Sequence, residues 1–277
     1  MQKIWVCGCR GQIGKAINDV VDKLEFEMLD TDIEELDVTD TDEVLRFGEM
    51  NRPDIIINCS GMTDIAACEE NPAMAFKVNA LGARNLAIVA RKMEAKMIQL
   101  STDDVFDGKS TEPYDEFDAT NPYTVYGKSK LAGENYVKEF TYKHFIVRSS
   151  WVYGKGDNFI HSFLEKVDKG EELAIAADQF GTPTSANELA RFRLHLVHTS
   201  EYGTYHATNK GVCSRYAFAE EILRMTGKEA KMEPVPTALS DLSKVRPAYA
   251  VLNNFIMSMV PVYDFPKWQD SLKEYLI

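Results

Sequence analysis

Tyr126 and Lys130 stand four residues apart in the run Tyr126-Gly127-Lys128-Ser129-Lys130-Leu131-Ala132-Gly133-Glu134. On a helix they share one face, so the ammonium stabilises a phenolate and draws the tyrosine down from its ordinary pKa of about 10, which gives a proton donor near neutral pH. Taken alone, Tyr-x-x-x-Lys describes an exposed aromatic beside a solvated lysine. Two neighbours change that reading. Ser101-Thr102-Asp103 places a hydroxyl at the end of an apolar run, and a glycine-rich turn lies far upstream.

That turn is Gly8-Cys9-Arg10-Gly11-Gln12-Ile13-Gly14, spaced G-x-x-G-x-x-G after the apolar Ile4-Trp5-Val6. Gly8 permits a sharp turn, Gly11 lets backbone approach a pyrophosphate, and Gly14 lets a helix lie close to the strand, with free N–H groups and the helix dipole facing the anion. Asp30, at the end of the next apolar segment, is placed to accept hydrogen bonds from an adenosine ribose and to repel a 2′-phosphate, favouring NAD. Arg10 pulls the other way, since its guanidinium suits that phosphate and NADP. Asp32 serves the same argument as Asp30, so NADH and NADPH both stand as expected cofactors. Asp37, in Asp37-Val38-Thr39-Asp40, is a candidate for the adenine amine, with a helix cap at Thr39 or Asp40 as the alternative.

The elements that would position these groups alternate. The patterns predict strands at Ile4–Val6, 26–30, 54–59, 96–101 and 145–147, with a helix over 12–24 carrying Ile13, Ala16, Ile17, Val20, Val21 and Leu24 at helical spacing. Strands alternating with helices predict an α/β fold, a doubly wound Rossmann-type parallel sheet with helices on both faces. Residues 1–150 are expected to form the dinucleotide-binding domain and 151–277 mainly a smaller substrate-binding domain. Part of the latter, about 178–225, is expected to return to the first. The last third is broken by Pro183, Pro234, Pro236, Pro247, Pro261 and Pro266.

Composition narrows the function. The 277 residues are 45% hydrophobic and 27% charged, and 31 basic against 43 acidic residues give a net charge of -12. Such a surface repels a phosphate backbone, which argues against nucleic-acid binding. No apolar run approaches the ~18 residues of a membrane span, and Met1 to Val6 leave no room for a signal core, so the chain reads as cytoplasmic and without a membrane partner. Cys7, Cys9, Cys59, Cys68 and Cys213 are odd in number and scattered, which suits reduced thiols.

The glycine turn, Arg52-Pro53-Asp54-Ile55-Ile56-Ile57-Asn58, Ser101-Thr102-Asp103-x-Val105-Phe106-Asp107-Gly108, the Tyr126 to Glu134 run, Ser150-Trp151-Val152-Tyr153-Gly154, Asp178-Gln179-x-Gly181-x-Pro183-Thr184 and Arg246-Pro247 together resemble one family. The chain is similar to the dTDP-4-dehydrorhamnose reductase family of the extended short-chain dehydrogenase/reductase superfamily. That resemblance implies reduction of the 4-keto group of a nucleotide-linked 4-keto-6-deoxy sugar, giving dTDP-L-rhamnose, with hydride from NADH or NADPH. It implies that Thr102 holds the carbonyl, Tyr126 protonates it, and Lys130 tunes Tyr126 and binds the nicotinamide ribose. Asp103 and Trp151 are implied to touch the sugar, and Asn79 to support the sheet's catalytic end. The implied cofactor set is Gly8, Arg10, Gly11, Gln12, Ile13, Gly14, Asp30, Asp37, Val38, Ser60, Gly61, Tyr126 and Lys130. The partners implied are the nucleotide-sugar substrate and a second copy of the chain.

Two departures bear on the sugar. Asp104 stands where the family has tyrosine, and Thr63-Asp64-Ile65-Ala66-Ala67-Cys68-Glu69 keeps Thr63 and Glu69 of the family's Thr-x-Val-Asp-x-x-Glu but loses the second acid. An epimerase or dehydratase of the same superfamily and a non-catalytic regulatory subunit remain alternatives, the dehydratase because Thr102 is followed by two acids. His144, His161, His195, His198 and His206 show no metal spacing. Lys273 to Ile277 carry one carboxylate side chain, so no metal is expected.

Overall fold

Buried β-branched runs such as Ile55-Ile56-Ile57 suit strands covered on both faces, and they form the centre of a six-stranded parallel sheet. The computed structural model describes residues 1–237, 247–260 and 263–277; Arg246 and Pro261 lie outside the described residues. In chain order the first half runs β1 (Gln2–Cys7), α1 (Gln12–Val20), β2 (Phe26–Thr31), α2 (Thr41–Asn51), β3 (Ile55–Asn58), α3 (Ile65–Glu70), α4 (Pro72–Phe76), α5 (Ala83–Met93), β4 (Lys96–Thr102), α6 (Val125–Phe140) and β5 (His144–Ser149). There follow β6 (Val152–Tyr153), α7 (Phe159–Asp168), β7 (Leu173–Ala176), β8 (Phe180–Gly181), β9 (Thr184–Ser185), α8 (Ala186–Val197) and β10 (Gly203–His206). The chain closes with β11 (Cys213–Ser214), α9 (Arg215–Thr226), β12 (Met232–Val235), β13 (Tyr249–Ala250), α10 (Phe255–Met259) and α11 (Trp268–Leu276).

The sheet order is β10-β5-β4-β3-β1-β2. Chain direction therefore reverses its lateral progress between β1 and β3, the place where an open α/β sheet leaves a crevice at its carboxyl ends. This is the doubly wound α/β fold expected from the sequence. One face packs Ile4, Val6, Ile57 and Val147 under α1 and α8, and the other packs Trp5, Cys7, Ile56 and Ile146 under α2, α5 and α6. A third core, around Tyr153, Phe163, Leu173, Phe218 and Trp268, holds the segments beyond β5 together.

The first helix ends earlier than its periodicity suggests. α1 stops at Val20, and Leu24 is 88% exposed. The backbone N–H groups of Glu25 and Phe26 turn back to the Asp22 carbonyl, so a tight turn rather than a further helical turn leads into β2. Among the described residues no helix is long and apolar enough to cross a membrane.

Candidate active site

The turn after β1 is built around absent side chains. Gly8 has φ +77°, and a Cβ there would lie 2.7 Å from the Ser60 amide nitrogen; one on Gly14 would lie 2.4 Å from the Gly8 carbonyl oxygen. The backbone N–H of Gly8 donates to the Thr31 carbonyl at 2.8 Å, tying β1 to β2. Gly11 is the N-cap of α1 and brings no capping side chain, so the N–H groups of Gln12, Ile13 and Gly14 face the opening with the positive end of the helix dipole. The Ile13 side chain is buried in the core, and the Gln12 amide donates to the Asp157 carbonyl at 2.9 Å. Both residues therefore face this opening through backbone.

Beside the turn lies a cavity of about 380 Å³, lined by Gly8 and Gly11, by Thr31 to Ile33 and Leu36 to Val38, by Cys59 to Met62, and by Met74 and Val78. The uncapped N–H groups at the start of α1 suit a pyrophosphate. Two acids stand on the cavity wall, Asp32 and Asp37, and the Asp32 carboxylate accepts the Arg10 backbone N–H at 2.9 Å. Asp30, expected at the ribose, is exposed and is absent from that wall. Burial pushes its carboxyl up, while Asn18 and Lys23, on and just beyond α1, pull it down. β2 ends at Thr31, so Asp30 stays within the paired strand while Asp32 lies beyond it, in the turn that meets the Arg10 backbone N–H. Arg10 also behaves differently from the expectation, because its guanidinium is paired with Glu34 and Glu35 at the protein surface. Asp37 lines the cavity and its carboxylate accepts the Thr39 N–H at 2.8 Å, while Asp40 caps α2 through the Glu43 N–H at 2.9 Å.

Ser60 and Gly61 carry the cavity wall toward α6. A Cβ on Gly61 would stand 3.0 Å from Asn79 Oδ1 and 3.8 Å from Lys130 Nζ. Asn79 sits in a π-helical turn spanning residues 77–82, an irregularity common at functional sites. Its side chain accepts the Met62 N–H at 2.8 Å, donates to the Met62 carbonyl at 3.0 Å, and donates to Ser129 Oγ at 2.9 Å. One amide thus locks the loop after β3 against α6.

α6 is started by Thr124, whose hydroxyl accepts the Gly127 N–H at 2.8 Å, and by Glu69, which accepts the Val125 N–H at 2.8 Å. Tyr126 is half-buried and Lys130 buried, one turn apart. Lys130 Nζ donates to the Leu100 carbonyl at 2.6 Å, which fixes the ammonium at the end of β4. Burial lowers this lysine to about 8, against the opposing pull of Glu134. Thr102, at the end of β4, donates to Asp103 Oδ1 at 2.9 Å and accepts the Asp104 N–H at 3.2 Å, so it caps the short helical turn over 103–105. Asp103 and Asp104 are buried, and a Cβ on Gly127 would meet the Asp104 carbonyl oxygen at 2.1 Å. Asp104 therefore packs directly beneath the residue that follows Tyr126.

Trp151 lies in the segment after β5 at φ +44°, a strained setting for a bulky residue. A Cβ on Gly181 would be 2.3 Å from its ring, and the Arg215 guanidinium lies 3.5 Å from the ring centroid. Arg215 was not singled out in the sequence, where it looks like any helix-start arginine. Glu134 and Arg148 were missed as well. Glu134 lies four residues beyond Lys130 and eight beyond Tyr126, a helical stripe that could have pointed to it.

The whole chain, residues 1–277, matches the model of the RmlD substrate binding domain. It is 34% identical to the spore coat polysaccharide biosynthesis protein SpsK of Bacillus subtilis, covering 100% of this chain and 97% of that protein. A dTDP-4-dehydrorhamnose reductase structure from Clostridium acetobutylicum superposes with a TM-score of 0.97 at 41% identity, covering 99% of this chain and 98% of that one. The dTDP-4-dehydrorhamnose reductase of Bacillus anthracis, solved in complex with NADP, superposes with a TM-score of 0.97 at 36% identity, covering 100% and 99%.

Proposed function

Because the chain belongs to the RmlD substrate-binding-domain family, we propose that it reduces the 4-keto group of a dTDP-linked 4-keto-6-deoxy sugar with NADPH or NADH, taking dTDP-4-dehydrorhamnose to dTDP-L-rhamnose. The observation that carries this reading is Lys130 Nζ, held by the Leu100 carbonyl and facing Gly61 on the wall of the glycine-turn cavity, on the same helix face as Tyr126.

When bound in that cavity, the nicotinamide supplies the hydride. Gly8, Gly11 and the N–H groups of Gln12, Ile13 and Gly14 would hold the pyrophosphate, Asp32 rather than Asp30 would meet the adenosine ribose, Asp37 and Val38 would serve the adenine, and Ser60 and Gly61 the nicotinamide end. Tyr126 gives its phenolic proton to the sugar's carbonyl oxygen as charge builds there, and Lys130 stabilises the phenolate left behind while binding the nicotinamide ribose. Thr102 adds a second hydroxyl donor after exchanging its bond to Asp103. These donors act most strongly on the charge of the transition state. Trp151, held between Gly181 and Arg215, and Asp103 border the sugar.

The same reading gives a dinucleotide-binding half over 1–150, joined by α8 and β10 of the 178–225 segment, and a smaller substrate half around the third core. It also gives a cytoplasmic homodimer, supported by the exposed Phe76 and Leu81 beside α6. The test is NADPH or NADH consumption on the dTDP-4-keto-6-deoxy sugar. Tyr126→Phe should lose roughly 10²–10⁴-fold in rate while its cofactor affinity is kept. Product formed without net cofactor consumption would turn the assignment to an epimerase or dehydratase, and a stable complex with another enzyme without turnover to a regulatory subunit.

A further inference from the structure

β5 ends at Ser149, which stands in register with Thr102 on β4, and Trp151 follows two residues later. Its backbone takes φ +44°, a conformation that a bulky residue keeps only where its surroundings hold it. The Trp151 carbonyl accepts the Thr184 N–H at 3.2 Å, and the residue is half-buried, so part of the indole stays open to a ligand.

Two contacts hold the ring. One is Gly181 of β8, where a Cβ would stand 2.3 Å from the indole Cε2 and 2.7 Å from Nε1. The other is Arg215, the first residue of α9, whose Cζ lies over the ring, 3.5 Å from its centroid. Arg215 is itself fixed. Its backbone N–H donates to the Gln179 carbonyl at 3.0 Å, its guanidinium lies 4.8 Å from the Phe159 ring centroid, and Phe159 stacks on Phe218 of the third core at 5.7 Å. Only 7% of the residue is exposed, and withdrawal from water strengthens the attraction of a cation for an indole face. A planar guanidinium stacks on that face as an ammonium does not. One cation–aromatic contact thus ties the third core to the segment that leaves β5.

We propose that Arg215 is a positioning residue for the sugar: it clamps Trp151 against Gly181 at φ +44°, so that the indole meets the 4-keto sugar as a preset wall. The inference rests on the reductase reading above, in which Trp151 borders the sugar. A side chain held in place before binding spares the ordering that a loose ring undergoes on contact, so loss of the clamp weakens sugar binding. Neither Trp151 nor Arg215 lines the glycine-turn cavity, so the cofactor is held independently of the clamp.

Two measurements on Arg215→Met, Gly181→Ala, Trp151→Ala and their doubles with Trp151→Ala test this. The first is steady-state oxidation of NADPH by the dTDP-4-keto-6-deoxy sugar. Arg215→Met should raise the KM for the sugar roughly three- to tenfold and leave the KM for NADPH near the parent value. In the Trp151→Ala background the same replacement should add nothing, because the ring through which it acts is gone. An equal rise in that background, or a parallel rise in both KM values, overturns the proposal. The second measurement, independent of turnover, is acrylamide quenching of tryptophan fluorescence. Trp5 and Trp268 are buried, and subtracting the spectrum of each protein's Trp151→Ala counterpart isolates the emission of Trp151. Arg215→Met should make that emission easier to quench, and a Trp151 quenched no faster than the parent's overturns the clamp. Gly181→Ala pushes on the ring from its other contact and should raise both quenching and the sugar KM; a displaced ring with an unchanged sugar KM refutes the positioning role. If the parent does not turn over the sugar, the reductase reading fails, and quenching alone decides whether Arg215 holds Trp151. Should Arg215→Met unfold, seen by circular dichroism, Arg215→Gln takes its place; unfolding of both makes the guanidinium structural and refutes the proposal.

Discussion

Glu134 takes Arg148 in a two-point grip, Nε donating to Oε1 at 2.9 Å and Nη2 to Oε2 at 2.8 Å, with 0% and 3% of the two side chains exposed. Ser101 Oγ donates to the same carboxylate at 2.5 Å. This knot joins α6, which carries Tyr126 and Lys130, to β4 and β5. Removing one partner leaves a buried charge alone, so Glu134→Ala or Arg148→Met should each cost about 3–5 kcal/mol in urea unfolding. The double apolar variant should cost clearly less than both together, and a single variant within about 1 kcal/mol of the parent would refute the grip.

Burial pushes the Glu134 carboxyl up, but the hydrogen bond and charge of Arg148 outweigh it and hold the group below the usual carboxylate range. A carboxyl lowered by folding adds stability above the unfolded value of about 4.3, and that share is lost as the pH drops through the folded value. The acid limb of the stability profile should therefore be shallower in the apolar double variant than in the parent.

Lys130 runs the other way. With its folded value near 8, the unfolded chain binds more protons between about 8 and 10.4, so stability should rise with pH across that window. Activity should decline over the same window as the ammonium is lost. Thermal melts of Lys130→Met should lack the rise, and a parent profile that is flat there would contradict the burial of the ammonium.

The acids at the adenosine end separate cleanly. Asp32→Ala should weaken cofactor binding severalfold by fluorescence titration, whereas Asp30→Ala should leave it near the parent value, because Asp30 is not on the cavity wall. Glu34→Gln with Glu35→Gln frees Arg10 from its two surface partners. The ratio of NADPH to NADH affinity should then rise, and the rise should shrink with added salt.

Gly127 leaves no room for a methyl group above the Asp104 carbonyl. Gly127→Ala should push the start of α6 away from the turn after β4, costing about 1–3 kcal/mol. It should also lower kcat more than it raises the KM for the sugar, since the proton donor is displaced. Steady-state kinetics with an otherwise intact circular dichroism spectrum would check this.

The alternating apolar runs determine the doubly wound sheet, because strands such as Ile55–Asn58 have only one way to bury both faces. The glycine spacing and the four-residue step from Tyr126 to Lys130 likewise determine a turn and a helix face, both being local backbone properties. Which acid reaches the cavity depends on where β2 ends: Asp30 stays in the strand paired with β1, while Asp32 lies beyond the last pair, on the cavity wall. Arg10's engagement with Glu34 and Glu35, the Trp151–Gly181–Arg215 stack and the Glu134–Arg148 knot join residues up to 64 positions apart. Arg193 was invisible for the same reason: an arginine on a helix is ordinarily solvated. Only the packing of α8 against the sheet shows that this one is buried and has no hydrogen-bond partner among the described residues.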